Sequence, residues 1–135
     1  MSTDTFIDTN VLAYAFDSDS PFKQATAQDL IKAGNFIISA QVLGELYVTL
    51  TRKLTRPVPT DVAKQAIDEL CVLPVIATSA SLVAAGVETS IRHQLSYWDA
   101  LIIEAAVAAG CKTLITEDLA DGSTIRGVDI VNPFH

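Results

Sequence analysis

Four carboxylates stand against largely apolar stretches: Asp8 after Phe6-Ile7, Glu45 between Gly44 and Leu46, Asp99 before Ala100-Leu101-Ile102, and Asp118 after Leu114-Ile115-Thr116-Glu117. A carboxylate in such a setting is costly unless it is paired, hydrogen-bonded or metal-bound. If the fold brings the four together, their charges raise one another's pKa and destabilise the chain unless a cation compensates. Oxygen-only ligands favour hard divalent ions, Mg²⁺ or Mn²⁺. A carboxylate cluster with no obligate His or Cys suits metal-assisted phosphodiester hydrolysis.

Each acid also has an ordinary reading. Asp8 fits a helix cap as well as a ligand. Glu45 is mid-helix, with Thr49, Arg52 and Arg56 following at i+4, i+7 and i+11, nearly in line. That stripe is either an exposed Glu–Arg face or a ligand beside a phosphate-binding track. Lys53 and Arg92 are further candidates for an RNA backbone, or ordinary solvated charges. Ser96-x-x-Asp99 is a capping box, yet Asp99 shares its stripe with Ile102, Ile103 and Ala106 of a helix that reads as buried. Asp118 fits an acidic loop, with Asp121 nearby; Glu117 is a fifth site acid or points outward.

The elements that must position these residues alternate strand with helix. Thr5 to Asp8 reads as the first strand, with a helical turn over Val11 to Phe16. Ser20 as N-cap and Pro21 at the first position open a helix that stops at Gly34. Phe36-Ile37-Ile38 is a short apolar strand, and Ser39 caps a helix from Ala40 to Leu54, broken by Arg56-Pro57-Val58-Pro59. Its apolar face carries Val42, Leu43, Leu46, Tyr47 and Leu50. Thr60 caps a helix to about Leu70; Leu73 to Ile76 is extended; Thr78 or Ser79 caps a helix carrying Leu82, Val83, Gly86, Val87 and Ile91 on its apolar positions. Ser96-Tyr97-Trp98-Asp99 opens the most apolar helix, Ala100 to Ala109, which Gly110 closes. Thr113 to Thr116 is a strand, Gly122 and Gly127 bracket a loop, and Val128 to Val131 is the last strand. Continuously apolar strands between helices predict a parallel sheet covered on both faces, with ligands at the strands' carboxyl ends.

The 135 residues fit one domain, 1–135, and 50% hydrophobic with 19% charged residues is a globular composition. Met1-Ser2-Thr3-Asp4 lacks the features of a signal peptide, and Glu104 interrupts the longest apolar run, so a soluble, cytoplasmic protein with no membrane partner is expected. Cys71 and Cys111 read as free packing thiols. The net charge of −7 excludes coating of nucleic acid by bulk electrostatics but not binding through a local basic strip and a metal. No GxxxxGK[ST], GxGxxG or GxSxG is present. His93 and His135 are poorly placed as general bases. Phe, Tyr and Trp fall at predicted core positions with no aromatic platform for bases, and Tyr97 and Trp98 are expected to pack at a helix start.

Phe6-Ile7-Asp8-Thr9-Asn10-Val11-Leu12, Ser39 followed by Glu45, Tyr97-Trp98-Asp99-Ala100-Leu101-Ile102 and Leu114-Ile115-Thr116-Glu117-Asp118 resemble, in order and across the chain, the motifs of PIN-domain nucleases. VapC-type toxins are the nearest in style. The resemblance implies a three-layer α/β/α sandwich with a central, mainly parallel sheet. It also implies a metal-dependent endoribonuclease using one or two Mg²⁺ or Mn²⁺ ions and leaving 5′-phosphate and 3′-hydroxyl ends. Asp8, Glu45, Asp99 and Asp118 match the family's acidic quartet, as catalytic and metal-binding residues. Asn10 and Thr116, with Glu117, match supporting positions. Implied partners are RNA, a second copy, and an antitoxin whose basic residue enters the acidic groove. The alternatives are a non-catalytic RNA- or partner-binding module and phosphotransfer on Asp8. The latter is weakened because Asp8-Thr9-Asn10 lacks a second acid.

Overall fold

The computed structural model describes residues 4–135; Met1-Ser2-Thr3, on which part of the leader reading rests, lie outside the described residues. β1 (Thr5–Ile7) pairs in parallel with β4 (Thr113–Ile115), Ile7 opposite Ile115, and β4 pairs in parallel with β6 (Val128–Val131). On its other side β1 meets the run into β2 (Ile38–Ser39): Phe6 bridges Ile37, whose N–H donates to Thr5 O at 2.8 Å. β2 pairs in parallel with β3 (Val75–Ile76). β1 is thus interior, and Phe6, Ile7, Leu114 and Ile130 are fully buried beside it. Strands covered on both faces must be apolar throughout, which is why these read as unbroken hydrophobic runs. The three-layer α/β/α arrangement expected from the sequence is borne out.

α1 (Thr9–Tyr14) follows β1 at once, two residues earlier than expected, because Asp8 is its N-cap. α2 (Pro21–Ala33) ends at Gly34, whose left-handed φ of 67° favours a residue without Cβ. Ser20 occupies its N-cap position but makes no side-chain cap bond; Pro21 alone fixes the start. α3 (Ala40–Val48) is capped by Ser39, which accepts from Val42 N–H at 3.3 Å. A continuous α-helix to Leu54 was expected; instead Thr49–Lys53 forms a π-helical turn, closed by Leu54 N–H to Thr49 O at 3.1 Å. Arg52 lies inside the wider turn, off the α-helical spacing that put it in line with Glu45, and Leu54 is extended, so Arg56 is no longer on that helix.

α4 (Thr60–Leu70) begins at Thr60 itself, with Pro59 in the N-cap position, so Thr60 is not the cap. For α5 (Ala80–His93), Ser79 rather than Thr78 caps, accepting from Leu82 N–H at 3.2 Å. α5 lies close on α6 (Tyr97–Ala108) through Gly86, where an added Cβ would stand 3.2 Å from Leu101 Cδ1. The buried face of α5 carries Leu82, Gly86 and Thr89, leaving Val83, Val87 and Ile91 at the surface, contrary to a simple apolar stripe. α6 starts three residues before Ala100, because Ser96 accepts from Asp99 N–H at 3.1 Å and fixes the first turn there. Trp98 and Phe22, read as packed, are exposed, as in part is Tyr47.

β5 (Thr124–Ile125), within the predicted loop, pairs antiparallel with β6 through the two-residue turn Arg126-Gly127, both at positive φ (54° and 78°). Arg126 holds this unfavourable backbone while its guanidinium reaches Glu104 in α6 at 2.9 and 3.2 Å. Glu104 also accepts from Thr89 Oγ1 at 2.7 Å. The acid that interrupts the apolar helix is therefore a buried tie between α5, α6 and the β5–β6 hairpin. Both cysteines are free; Cys111 is buried, which pushes its thiol up to about 11, whereas Cys71 is exposed and is not a packing residue. Among the described residues no helix is long and apolar enough to cross a membrane.

Candidate functional site

Parallel register sets the carboxyl ends of β1 and β4 side by side, so Asp8 and Thr116 emerge as neighbours: Asp8 N–H donates to Ile115 O at 3.0 Å and Thr116 N–H to Val131 O at 3.0 Å. Asp8 Oδ1 accepts from Thr9 N–H at 2.7 Å, and Oδ2 accepts from Thr116 Oγ1 at 3.0 Å. The Thr116 hydroxyl is saturated. It donates its one proton to Asp8 and accepts from Asn10 Nδ2 and Asp118 N–H, each at 3.2 Å. Asn10 Oδ1 accepts from Glu117 N–H at 3.3 Å, closing the ring between α1 and the turn after β4.

Asp8, Thr9, Asn10 and Asp118 of this ring form one wall of a cleft of about 400 Å³, which Glu45 and Asp99 also line. Glu45 comes from α3, where Thr9 Oγ1 donates to its Oε1 at 3.0 Å and Gln41 Nε2 to its Oε2 at 3.3 Å. Asp99 comes from the first turn of α6 and is half-buried. Chain segments 36 to 108 residues apart thus meet at the edge that the strand–helix alternation predicts.

The charges feel one another. Burial, with the nearby Asp118 and Glu45 carboxylates, raises Asp8 to about 6, although the Thr9 and Thr116 hydrogen bonds oppose the rise. Asp99 is raised by burial and by Asp118, against a hydrogen bond with Ser96. The donor set fits a hard divalent cation: carboxylate oxygens from four elements surround one cleft, and their mutual repulsion is what such an ion would relieve. Among the described residues no three acids, histidines or cysteines form a closed ligand group; the four stand around the cleft.

The other candidates divide. Glu117 contributes its backbone N–H, while its carboxylate is held by Lys23 and by Tyr14 OH at 2.8 Å; burial tends to raise its pKa, and these partners bring it below the usual range. It does not line the cleft. Lys53 does, carried there by the π-helical turn. Arg56 pairs with Asp19 at 3.2 Å and Arg92 with Glu88 at 3.2 Å. Neither they nor Arg52 lines the cleft. His135 pairs with Asp121 at 2.8 Å.

Sequence reasoning missed Thr9, Gln41, Gly44 and Trp98, all cleft-lining. Thr9 and Trp98 adjoin acids already singled out, and Gln41 lies one helical turn before Glu45, so helical spacing could have found it. Gly44 sits mid-helix, where glycine costs roughly 0.5–1 kcal/mol against alanine. A Cβ there would meet nothing within 4 Å. Gln41 Oε1 is buried without a hydrogen-bond partner.

With a β1–β4–β6 parallel core, a four-acid cleft at its carboxyl edge and a matching family model over residues 5–120, the chain belongs to the PIN domain family. Its fold is similar to that of VapC20 of Mycobacterium tuberculosis, a sarcin–ricin-loop-cleaving toxin, at 21% identity over 82% of this chain and 86% of that one, TM-score 0.66. VapBC2 from Rickettsia felis, bound to a DNA fragment from its promoter, matches at 22% identity over 93% and 96%, TM-score 0.63. FitAB bound to an IR36 DNA fragment matches at 17% identity over 97% and 96%, TM-score 0.69. Comparison with curated proteins gives no significant match.

Proposed function

We propose that the chain is a metal-dependent endoribonuclease, the toxin of a toxin–antitoxin pair. The observation that carries this reading is the convergence of Asp8, Glu45, Asp99 and Asp118 on one cleft at the sheet edge of a PIN domain. The likeness of the fold to VapC20, a toxin that cleaves the sarcin–ricin loop, supports RNA as substrate. The likeness to VapBC2 and FitAB supports an antitoxin partner; a second copy of the chain is the further partner in this reading. A cytoplasmic location fits an RNA substrate.

Asp8, Asp99 and Asp118 would hold one or two Mg²⁺ or Mn²⁺ ions, with Glu45 contributing directly or through water. When bound, the ion supplies a water of lowered pKa and neutralises charge developing on the phosphate oxygens. The chain's own part is to prepare the ligands. Thr9 N–H and Thr116 Oγ1 fix both oxygens of Asp8, Asn10 and Thr116 lock the turn that presents Asp118, and Thr9 and Gln41 aim Glu45. Lys53, which lines the cleft, would hold a backbone phosphate.

Mg²⁺ or Mn²⁺ is expected to raise the melting temperature and to release protons at about pH 6, where Asp8 titrates in the free protein. EDTA should stop cleavage of total RNA. Calorimetry in two buffers of different ionisation enthalpy reads the proton count. Cleavage undiminished by EDTA, or no thermal shift with either ion, would sink the metal mechanism.

A further inference from the structure

The single tryptophan of the chain, Trp98, is 61% exposed although it sits in the most buried helix, and it lines the acid cleft directly beside Asp99. The indole therefore keeps an apolar face in water at the cleft itself, free to meet a flat partner. Its position is held from two sides. Gln41 Nε2 donates to Trp98 O at 3.3 Å while also holding Glu45, and the Tyr97 ring braces the indole edge-on at 4.9 Å between centroids. Beyond it the cleft wall runs along α3 past Gly44, where no side chain rises, to Lys53. From Gln41 to Lys53 that wall extends roughly 15–18 Å. With a net charge of −7 the protein gains little from bulk attraction to phosphates, so an uncharged, salt-insensitive contact is what this cleft lacks for holding a polyanion.

We propose that Trp98 is the platform on which an unpaired base of the RNA stacks, setting the adjacent phosphate over the four carboxylates with the strand running along Gly44 toward Lys53. Trp98 is a positioning residue in this scheme, and the scheme rests on the ribonuclease reading above. It requires a nucleotide whose face is free, which a base inside a duplex cannot offer.

Because Trp98 is the only tryptophan, its fluorescence reports on this contact alone. A short mixed-sequence oligoribonucleotide is titrated against the full chain in Mg²⁺, single-stranded or annealed to its complement. Quenching is read on mixing, and cleavage of the same strand is followed on gels. The single strand should quench the indole and the duplex should not. By anisotropy of an end-labelled strand, Trp98→Ala should bind roughly 5- to 150-fold more weakly, the equivalent of about 1–3 kcal/mol of stacking, while Trp98→Phe retains most of the affinity. The loss should persist in high salt and appear in KM more than in kcat. Unchanged melting temperatures confirm that the variants fold.

No quenching by the single strand, equal quenching by the duplex, or wild-type binding by Trp98→Ala overturns the platform. So does a blue-shifted indole in the free protein, which would place Trp98 in a contact between copies. Quenching without any cleavage would leave the platform standing and remove the nuclease reading. Full cleavage by Trp98→Ala with wild-type KM would do the reverse.

Discussion

An Asp8→Asn variant is expected to lose about 10³-fold or more of Mg²⁺-dependent RNA cleavage and, in EDTA, to be more stable than the wild type. The lost rate corresponds to several kcal/mol of transition-state stabilisation that a misheld cation no longer supplies. The gain in stability has the opposite origin. Asp8 is buried and its folded pKa, about 6, lies above the ordinary 3.8, so the fold disfavours the ionised form. Below about pH 4 both states are protonated and nothing is lost. Between about pH 4 and 6 the unfolded chain ionises first, and the wild type loses stability as pH rises. Above about pH 6 the whole penalty is present, about 3 kcal/mol for this elevation.

Asn at this position stays neutral, keeps an acceptor for Thr9 N–H and escapes that penalty, while its Nδ2 gives up the bond from Thr116 Oγ1, a smaller loss that does not depend on pH. Thermal melts of the two proteins in EDTA should therefore shift by several degrees in the variant's favour between about pH 4 and about pH 8. Mg²⁺ should narrow the gap by stabilising the wild type alone. Asp99→Asn should lose cleavage equally with a smaller stability change, since Asp99 is only half-buried. Equal cleavage by wild type and both variants, or a melting difference independent of pH, would contradict this account.

Arg126→Ala is expected to destabilise the fold by about 2–3 kcal/mol, measured as a lower urea midpoint with unchanged slope. Glu104 is 4% exposed and loses both guanidinium bonds, keeping only Thr89. Water can partly replace Arg126, which is 45% exposed, so the cost lies below that of breaking a fully buried pair. Burial pushes the Glu104 carboxyl up, but Arg126 and Thr89 more than offset it and hold its pKa below the usual value. This stabilisation is therefore complete above the ordinary carboxylate range and fades as pH falls through the depressed pKa. The gap between wild type and Arg126→Ala should shrink in acid. Arg126→Gly separates the backbone from the charge: it relieves the φ of 54° and should lose about 1 kcal/mol less than Ala. A urea midpoint for Arg126→Ala equal to wild type would show that the tie contributes nothing.

Local rules determine much of this protein. Short apolar stretches bounded by polar residues and alternating with helical patterns read as strands covered on both faces, so Phe6-Ile7 and Leu114-Ile115 pointed to a parallel sheet. Ser39, Ser79 and Ser96 mark helix starts because their hydroxyls satisfy free N–H groups wherever the chain goes next. The acids were legible for a related reason: a carboxylate against an apolar background needs a compensating partner, and Asp8, Glu45, Asp99 and Asp118 each break such a background.

What the tertiary structure alone decided are features that depend on partners distant in the chain. The π-helical turn at Thr49–Lys53 has no sequence mark, yet Lys53 at its end lines the cleft while Arg52 within it does not. Arg126 at positive φ resembles no turn signal, and its conformation is held by Glu104, 22 residues earlier. Trp98 has the composition of a core residue, and only the packing of α6 against α5 and the sheet shows which side of the helix remains for it. Helical periodicity places side chains on faces, but the neighbouring elements determine which face meets water.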